Sequence, residues 1–409
     1  MICRDYDPTK DKEAVRRIWR EAGWLPPGKD DLMDPVLEWG HALVAEVNCE
    51  PECVVTSTLG TMRYLDEEIP LAEYTSVATS RIGRRQGLAQ RVLARTVAAD
   101  HADGALLARV CVFDQGFYDQ VGFGAGGYEH SVEFDPAALK VSVRSRVPRR
   151  LTKDDSALMH ASRLARRRGH GAVNYPHVGL TEAEVRWGDN KFGLGYCDEA
   201  SGELTHHIWC NTRHVERGPY SVTWMAYRTD EQFLELLALL KSLSDQVPLV
   251  EMREPQGIQL QDLLDRPFRR QQVTEKSKFE NRISAYAYWQ VRMLDVPGCL
   301  ALTHLRSAKT RFNLSLTDPI ERLLDSDAKL RGVAGNYIVT LGPSSGAAAG
   351  HDPALPTLSA SVNAFTRMWL SVRPATGLAA TDVLTGPAAL LDELDWALRL
   401  PEPKPDWDF

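Results

Sequence analysis

From Asp11 to Trp24 the apolar residues Ala14, Val15, Ile18, Trp19 and Ala22 return at steps of three and four, placing them on one face of a helix. Leu25, Pro26, Pro27 and Gly28 end it. Three stretches rich in Val, Thr, Leu and Ala follow, His41 to Val47, Cys53 to Tyr64 and Ala72 to Thr79, separated by the turn-forming runs Glu50 to Glu52 and Asp66 to Glu68. They predict consecutive antiparallel strands. Gln86 to Ala99 reads as a helix whose apolar face carries Leu88, Val92, Leu93, Thr96 and Val97, followed by a strand, Ala105 to Val112, and a short segment, Phe117 to Gly122.

Asp135 to Arg150 holds Pro136, Pro148 and the basic residues Arg144, Arg146, Arg149 and Arg150, and reads as an interdomain connection. Beyond it the pattern predicts a helix at Asp154 to Arg168, strands at Glu203 to Cys210 and Ser221 to Tyr227, an amphipathic helix at Asp230 to Ser244 and a strand at Tyr286 to Leu294. This order repeats that of the first segment without its glycine loop, as a degenerate copy would. From about Pro297 short strands are expected at Arg311 to Leu316, Asn336 to Leu341 and Ser359 to Asn363, with a small-residue loop at Gly346 to Gly350 and a closing helix at Pro387 to Leu400. The expected organisation is three domains, 1–145, 146–297 and 298–409, of mixed α/β class.

Hydrophobic residues make up 44% of the 409 and charged residues 25%, the balance of a globular chain. A charged N-terminal stretch and the lack of any membrane-length apolar run predict a cytoplasmic protein with no membrane partner. Seven scattered cysteines do not suggest a disulfide framework, and Cys49 and Cys53 read as two loop thiols with no second pair to complete a zinc site. No metal is expected. A net charge of −7 does not suit nucleic acid and favours cationic partners.

Between the strand ending at Thr79 and the helix expected near Gln86 lie Arg84, Arg85, Gln86, Gly87, Leu88 and Ala89. A helix start exposes unpaired N–H groups and the positive end of its dipole, and so attracts anions. Gly87 lets backbone approach a phosphate, Ala89 keeps the next turn small, and the arginines add charge-assisted donors. The two other common phosphate loops, Gly-x-x-x-x-Gly-Lys-Ser/Thr and Gly-x-Gly-x-x-Gly after a first strand, are not in the sequence. A basic helix start with one glycine is common, so its neighbours matter.

This segment resembles motif A of the GNAT acetyltransferase superfamily, in which such a loop cradles the pyrophosphate of coenzyme A. Ser76, Val77, Ala78 and Thr79 resemble the splayed strand whose backbone pairs with the pantetheine arm and acyl carbonyl. Phe117, Tyr118, Gly122 and Phe123 resemble its Phe-Tyr-x-x-x-Gly-Phe signature. Arg81 and Gly83 stand where the superfamily often has proline and histidine. The resemblance implies acetyl-CoA as co-substrate and Tyr118 as the acid that protonates the departing thiolate.

The three-part layout, with Tyr288 to Pro297, Met368 to Leu378 and the aromatic last residue Phe409, resembles the enhanced intracellular survival (Eis) family. That resemblance implies tandem GNAT-like domains with the second degenerate, a C-terminal domain similar to sterol carrier proteins, and a hexamer. It also implies that the carboxylate of Phe409 enters the first domain's site as base, for acetylation of a cationic amine of aminoglycoside or polyamine type, or of lysine. The three prolines and Trp407 of the tail suit a placed end. Asp406 and Asp408 would face the cationic substrate, and Trp24, Asp30, Asp31 and Trp39 would line its pocket. A rival expectation is a lipid or small-molecule binder working through an apolar tunnel in the C-terminal domain.

Overall fold

The computed structural model describes residues 2–111, 116–265, 271–272, 280–306, 309–324, 328 and 330–408. These fall into two compact units, one of Met1–Gly127, Gly169–Pro176 and Ala287–Phe409, the other of Tyr128–Arg168 and His177–Tyr286.

The first unit opens with β1 (Ile2–Asp5), α1 (Lys12–Glu21), α2 (Asp34–Trp39), β2 (His41–Val47), β3 (Glu50–Tyr64), β4 (Glu67–Thr79), α3 (Leu88–Ala102) and β5 (Leu107–Cys111). Strands β1 to β4 are antiparallel in sequence order, β5 runs parallel to β4, and Trp289–Met293 then pairs with both β5 and Gly124–Ala125. The heptad-like spacing read in α1 has its expected consequence: Val15, Ile18 and Trp19 are fully buried with Leu25, Met33, Val44 and Val54. On the other face of the sheet, Leu88, Val92, Leu93 and Val97 of α3 pack with Leu43, Val55, Tyr74 and Val110.

The second unit has its own eight-stranded sheet, and Asp230–Ser242 lays Phe233, Leu236, Leu237 and Leu240 against Ile208, Cys210, Val132 and Phe134. Two strands sit apart from the chain order expected at 145 and 297. Glu129–Phe134 pairs within the second unit's sheet, and Trp289–Met293 within the first. The connection expected at 135–150 contains the one-turn helix Pro136–Ala138 and the strand Arg149–Leu151.

A five-stranded sheet completes the first unit, ordered 346–349, 335–341, 310–317, 357–361 and 384–385. Here the loop expected at Gly346 to Gly350 is instead an edge strand, with Ala347 to Ala349 opposite Tyr337 to Val339. Glycine and alanine have weak strand preference, and the pairing partner overrides it. Cys53, read as a loop thiol, lies fully buried in β3, accepting a hydrogen bond from Thr79 Oγ1 at 3.3 Å; burial pushes its pKa up to about 12.

A buried ion pair ties this sheet to the first one. Arg292 Nη2 is 2.7 Å from Asp318 Oδ2, both side chains being fully buried, and Arg292 Nη1 donates to the carbonyl of Val121. Asp318 also accepts the N–H groups of Ile320 and Val333. Removing one partner of such a pair strands the other charge in an apolar interior. Arg292→Met should therefore destabilise the protein by about 3–5 kcal/mol, read as a lowered midpoint of urea denaturation.

Candidate active site

Among the described residues, strands β4 and β5 pair in parallel from Leu71–Leu107 to Tyr74–Val110. Val54 of β3 faces Ala78 and Thr56 faces Thr75, so β4 spends an extra residue between them. Ser76 takes up the extra residue with φ +54, in the left-handed region. Such a bulge sharpens local twist and bends the strand. Beyond Tyr74, among the described residues, β4 is paired with β3, and Ser76 to Thr79 run on past the β5 pairs.

The chain then turns through Ser80 to Gly87 into α3. Ser80 N–H donates to the Glu52 carbonyl and Gly83 N–H to Ser80 Oγ, which fastens the turn to β3. Arg85 has φ +61 and Gly87 φ +71, so helical geometry begins at Leu88, two residues later than the apolar pattern suggests. The residue before α3, Gly87, has no side chain with which to cap it, and no acidic residue stands in its first turn. The helix start thus keeps N–H donors and a positive dipole end for an anion. A cleft of about 310 Å³ opens there, lined by Thr79, Gly83, Arg84, Arg85, Gly87, Leu88, Ala89, Gln90 and Phe117. Gln86 is exposed and turned back, its Nε2 donating to the Ile82 carbonyl.

Phe117 brings Tyr118 to the same region. Tyr118 opens the single turn Tyr118–Val121, is 8% exposed, and packs edge-on against Phe117 and Phe123 in the core that holds Leu88. The turn is clamped from several sides. Gln290 Nε2 donates to Asp119 Oδ1 at 2.9 Å, Asn363 Nδ2 donates to the carbonyls of Asp119 and Phe123, and Arg292 holds the carbonyl of Val121. Gly122, at φ +93, leaves the space that the Arg292 guanidinium fills.

A second polar group lies where β5 ends. Arg109, fully buried, places Nη1 3.0 Å from Glu73 Oε2 and donates to the Tyr175 hydroxyl and the Trp407 carbonyl; its Nη2 is 2.7 Å from Asp408 Oδ1. Cys111 Sγ is 3.7 Å from Asp408 Oδ1 and 3.9 Å from Glu73 Oε1. Burial raises the pKa of Glu73, opposed by the Arg109 charge and by hydrogen bonds from Tyr175, Arg109 and Cys111. Asp408, expected beside a cationic substrate, is thus matched by a protein cation. Phe409 lies outside the described residues.

The residues expected near the amine belong to the α1–α2 region and not to the cleft at the start of α3. Asp30 pairs with Arg20 at 2.9 Å, Trp24 packs on the α1 core, and Trp39 ends α2 where Gly40 comes close to the Ser57 carbonyl. Glu73, Arg109, Cys111 and Tyr175 were not singled out from the sequence. A signal for two of them existed, since Glu73 and Arg109 are opposite charges inside the apolar runs of adjacent strands.

Among the described residues no helix is long and apolar enough to cross a membrane, and no cluster of three or more His, Cys, Asp or Glu could hold a metal. No protein-family model matches the chain, and no curated protein matches its sequence. Solved structures do match along the whole chain. A conserved Enterococcus faecalis protein of unknown function, described as a probable N-acyltransferase, superposes with a TM-score of 0.81 at 15% identity, covering 100% of this chain and 99% of that one. A GCN5-related N-acetyltransferase from Kribbella flavida gives 0.75 at 17% identity, covering 100% and 98%. Eis1 from Mycobacterium abscessus gives 0.76 at 16% identity, covering 100% of both chains. The fold is that of the GCN5-related N-acetyltransferases. Within this GNAT fold the cleft joins the end of β4, at Thr79, to the start of α3.

Gly87 is exposed, and among the described residues a Cβ there would meet nothing within 4 Å, so the constraint is one of backbone conformation. Gly87→Val should cost about 1–2 kcal/mol of stability through the left-handed φ alone, measurable by urea denaturation.

Proposed function

We propose that this chain is an acetyl-CoA-dependent N-acetyltransferase acting on a primary amine of a cationic small molecule, of aminoglycoside or polyamine type, or of lysine. The observation that carries this reading is the cleft at the uncapped start of α3, opening where β4 outruns β5. Its donors suit a pyrophosphate: the N–H groups after Gly87, with Arg84 and Arg85 exposed beside them. Backbone groups of Ser76 to Thr79 suit an extended amide-bearing arm.

Bound acetyl-CoA supplies the acetyl group as an activated thioester. The acceptor nitrogen forms the new amide bond as the carbon–sulfur bond breaks. Tyr118 gives its hydroxyl proton to the leaving sulfur, and the terminal carboxylate of Phe409 takes the proton released by the amine, so charge balances across the step. The net charge of −7 attracts a cationic acceptor. By the resemblance to the Eis family, residues 298–409 are a sterol-carrier-like domain that delivers the tail, and the working form is a cytoplasmic homo-oligomer, a hexamer.

Release of free CoA should be detectable with at least one of spermidine, kanamycin or a lysine-containing peptide, whereas no turnover with any of them and no binding of acetyl-CoA by calorimetry would overturn the assignment. Tyr118→Phe should lower kcat roughly 100- to 10,000-fold with little change in acetyl-CoA affinity, as expected for loss of a general acid. Wild-type turnover in that variant would remove Tyr118 from the mechanism and leave the class of reaction standing.

A further inference from the structure

We propose that Arg109 is the positioning residue that latches the C-terminal tail at the parting of β4 and β5, and that Glu73 exists to hold Arg109. This deepens the acetyltransferase reading and rests on it.

The tail is guided toward that point along its length. Lys404 N–H donates to the His170 carbonyl, Gly171 leaves room for Pro403 and Lys404, and Val173 N–H donates to Asp406 Oδ1. Trp407 is 1% exposed and sits edge-on to Tyr175, ring centroids 5.5 Å apart. At the end, one guanidinium reaches both the Trp407 carbonyl and the Asp408 carboxylate.

The location is chemically pointed. Among the described residues the last parallel pair of β4 and β5 is Tyr74 with Val110, and Cys111, the next residue of β5, is the one beside Asp408. Asp408 therefore sits one step past the final pairing, where the strands separate. Arg109 is set into the sheet next to Glu73, its register partner on β4, and the Tyr175 hydroxyl donates to the same Glu73 oxygen at 3.0 Å. A guanidinium has a fixed fork of donors, so fastening one arm to Glu73 aims the other. Among the described residues Glu73 and Tyr175 bond to each other and both to Arg109. Their placement is explained if they orient Arg109.

The test uses the full-length chain and carboxypeptidase digestion followed by intact mass spectrometry. Arg109→Gln should speed release of Phe409 and Asp408 about tenfold or more, since a buried charge-assisted contact no longer opposes detachment. Arg109→Lys should recover part of the protection, and both variants should bind acetyl-CoA as the parent does. Should Arg109→Gln fail to fold with Glu73 left unpaired, Asp408→Asn probes the same contact with the Arg109–Glu73 pair intact, and it should also speed release. Parent-like release rates in folded Arg109→Gln, or in Asp408→Asn, would overturn the latch. In turnover assays Arg109→Gln should lower kcat more than KM, and should add no further loss in a chain ending at Pro405. If tail release accelerates but kcat does not change, the latch stands and the tail is not the base. If kcat falls as much again in the shortened chain, Arg109 acts on the reaction by another route and the latch role is refuted.

Discussion

Among the described residues strands β4 and β5 share four parallel pairs before the bulge at Ser76 bends β4, and the candidate site is built around that bend. Backbone groups in a sheet are ordinarily consumed by neighbouring strands. Here the stretch Ser76 to Thr79 continues beyond the β5 pairing and leads straight into the turn before α3. One backbone irregularity, with a non-glycine residue in the left-handed region, thus opens a wedge, aligns an extended edge along it, and delivers a helix start at its mouth.

Two buried arginines, each ion-paired, then fix what surrounds the wedge. Arg109 with Glu73 and Asp408 lies on β5, and Arg292 with Asp318 lies on the strand beside it. Each joins segments far apart in sequence, the first reaching the tail and the second the turn that carries Tyr118. Net stabilisation from buried pairs is small because desolvation offsets attraction, but a half-broken pair is costly. Such contacts therefore discriminate strongly between correct and displaced arrangements. The turn at Tyr118 shows the effect, being held by Gln290, Arg292 and Asn363, all more than 160 residues downstream.

Local patterns made much of the first unit legible. The apolar face of α1, the three strands from His41 to Thr79 and the basic turn into α3 each follow from spacing within a dozen residues, because helix and strand periodicities are local. Less was visible where small residues form strands, as at Gly346–Ala349, or where a strand leaves its neighbours in sequence, as Glu129–Phe134 and Trp289–Met293 do. Strand pairing is decided by partners that periodicity does not name.

By itself, the sequence determined the basic turn from Arg84 to Ala89, the glycine that its backbone requires and the aromatic turn around Tyr118, since each is a short-range property of residue type. Only the tertiary structure decided the bulge that parts β4 from β5, the burial of Arg109 between Glu73 and Asp408, and the placing of Trp407 and Asp408 beside β5 instead of free in solvent. Those features arise from contacts up to about 300 residues apart, such as Arg109 with Asp408 at a separation of 299, where no periodicity operates and only packing and charge pairing select the partner.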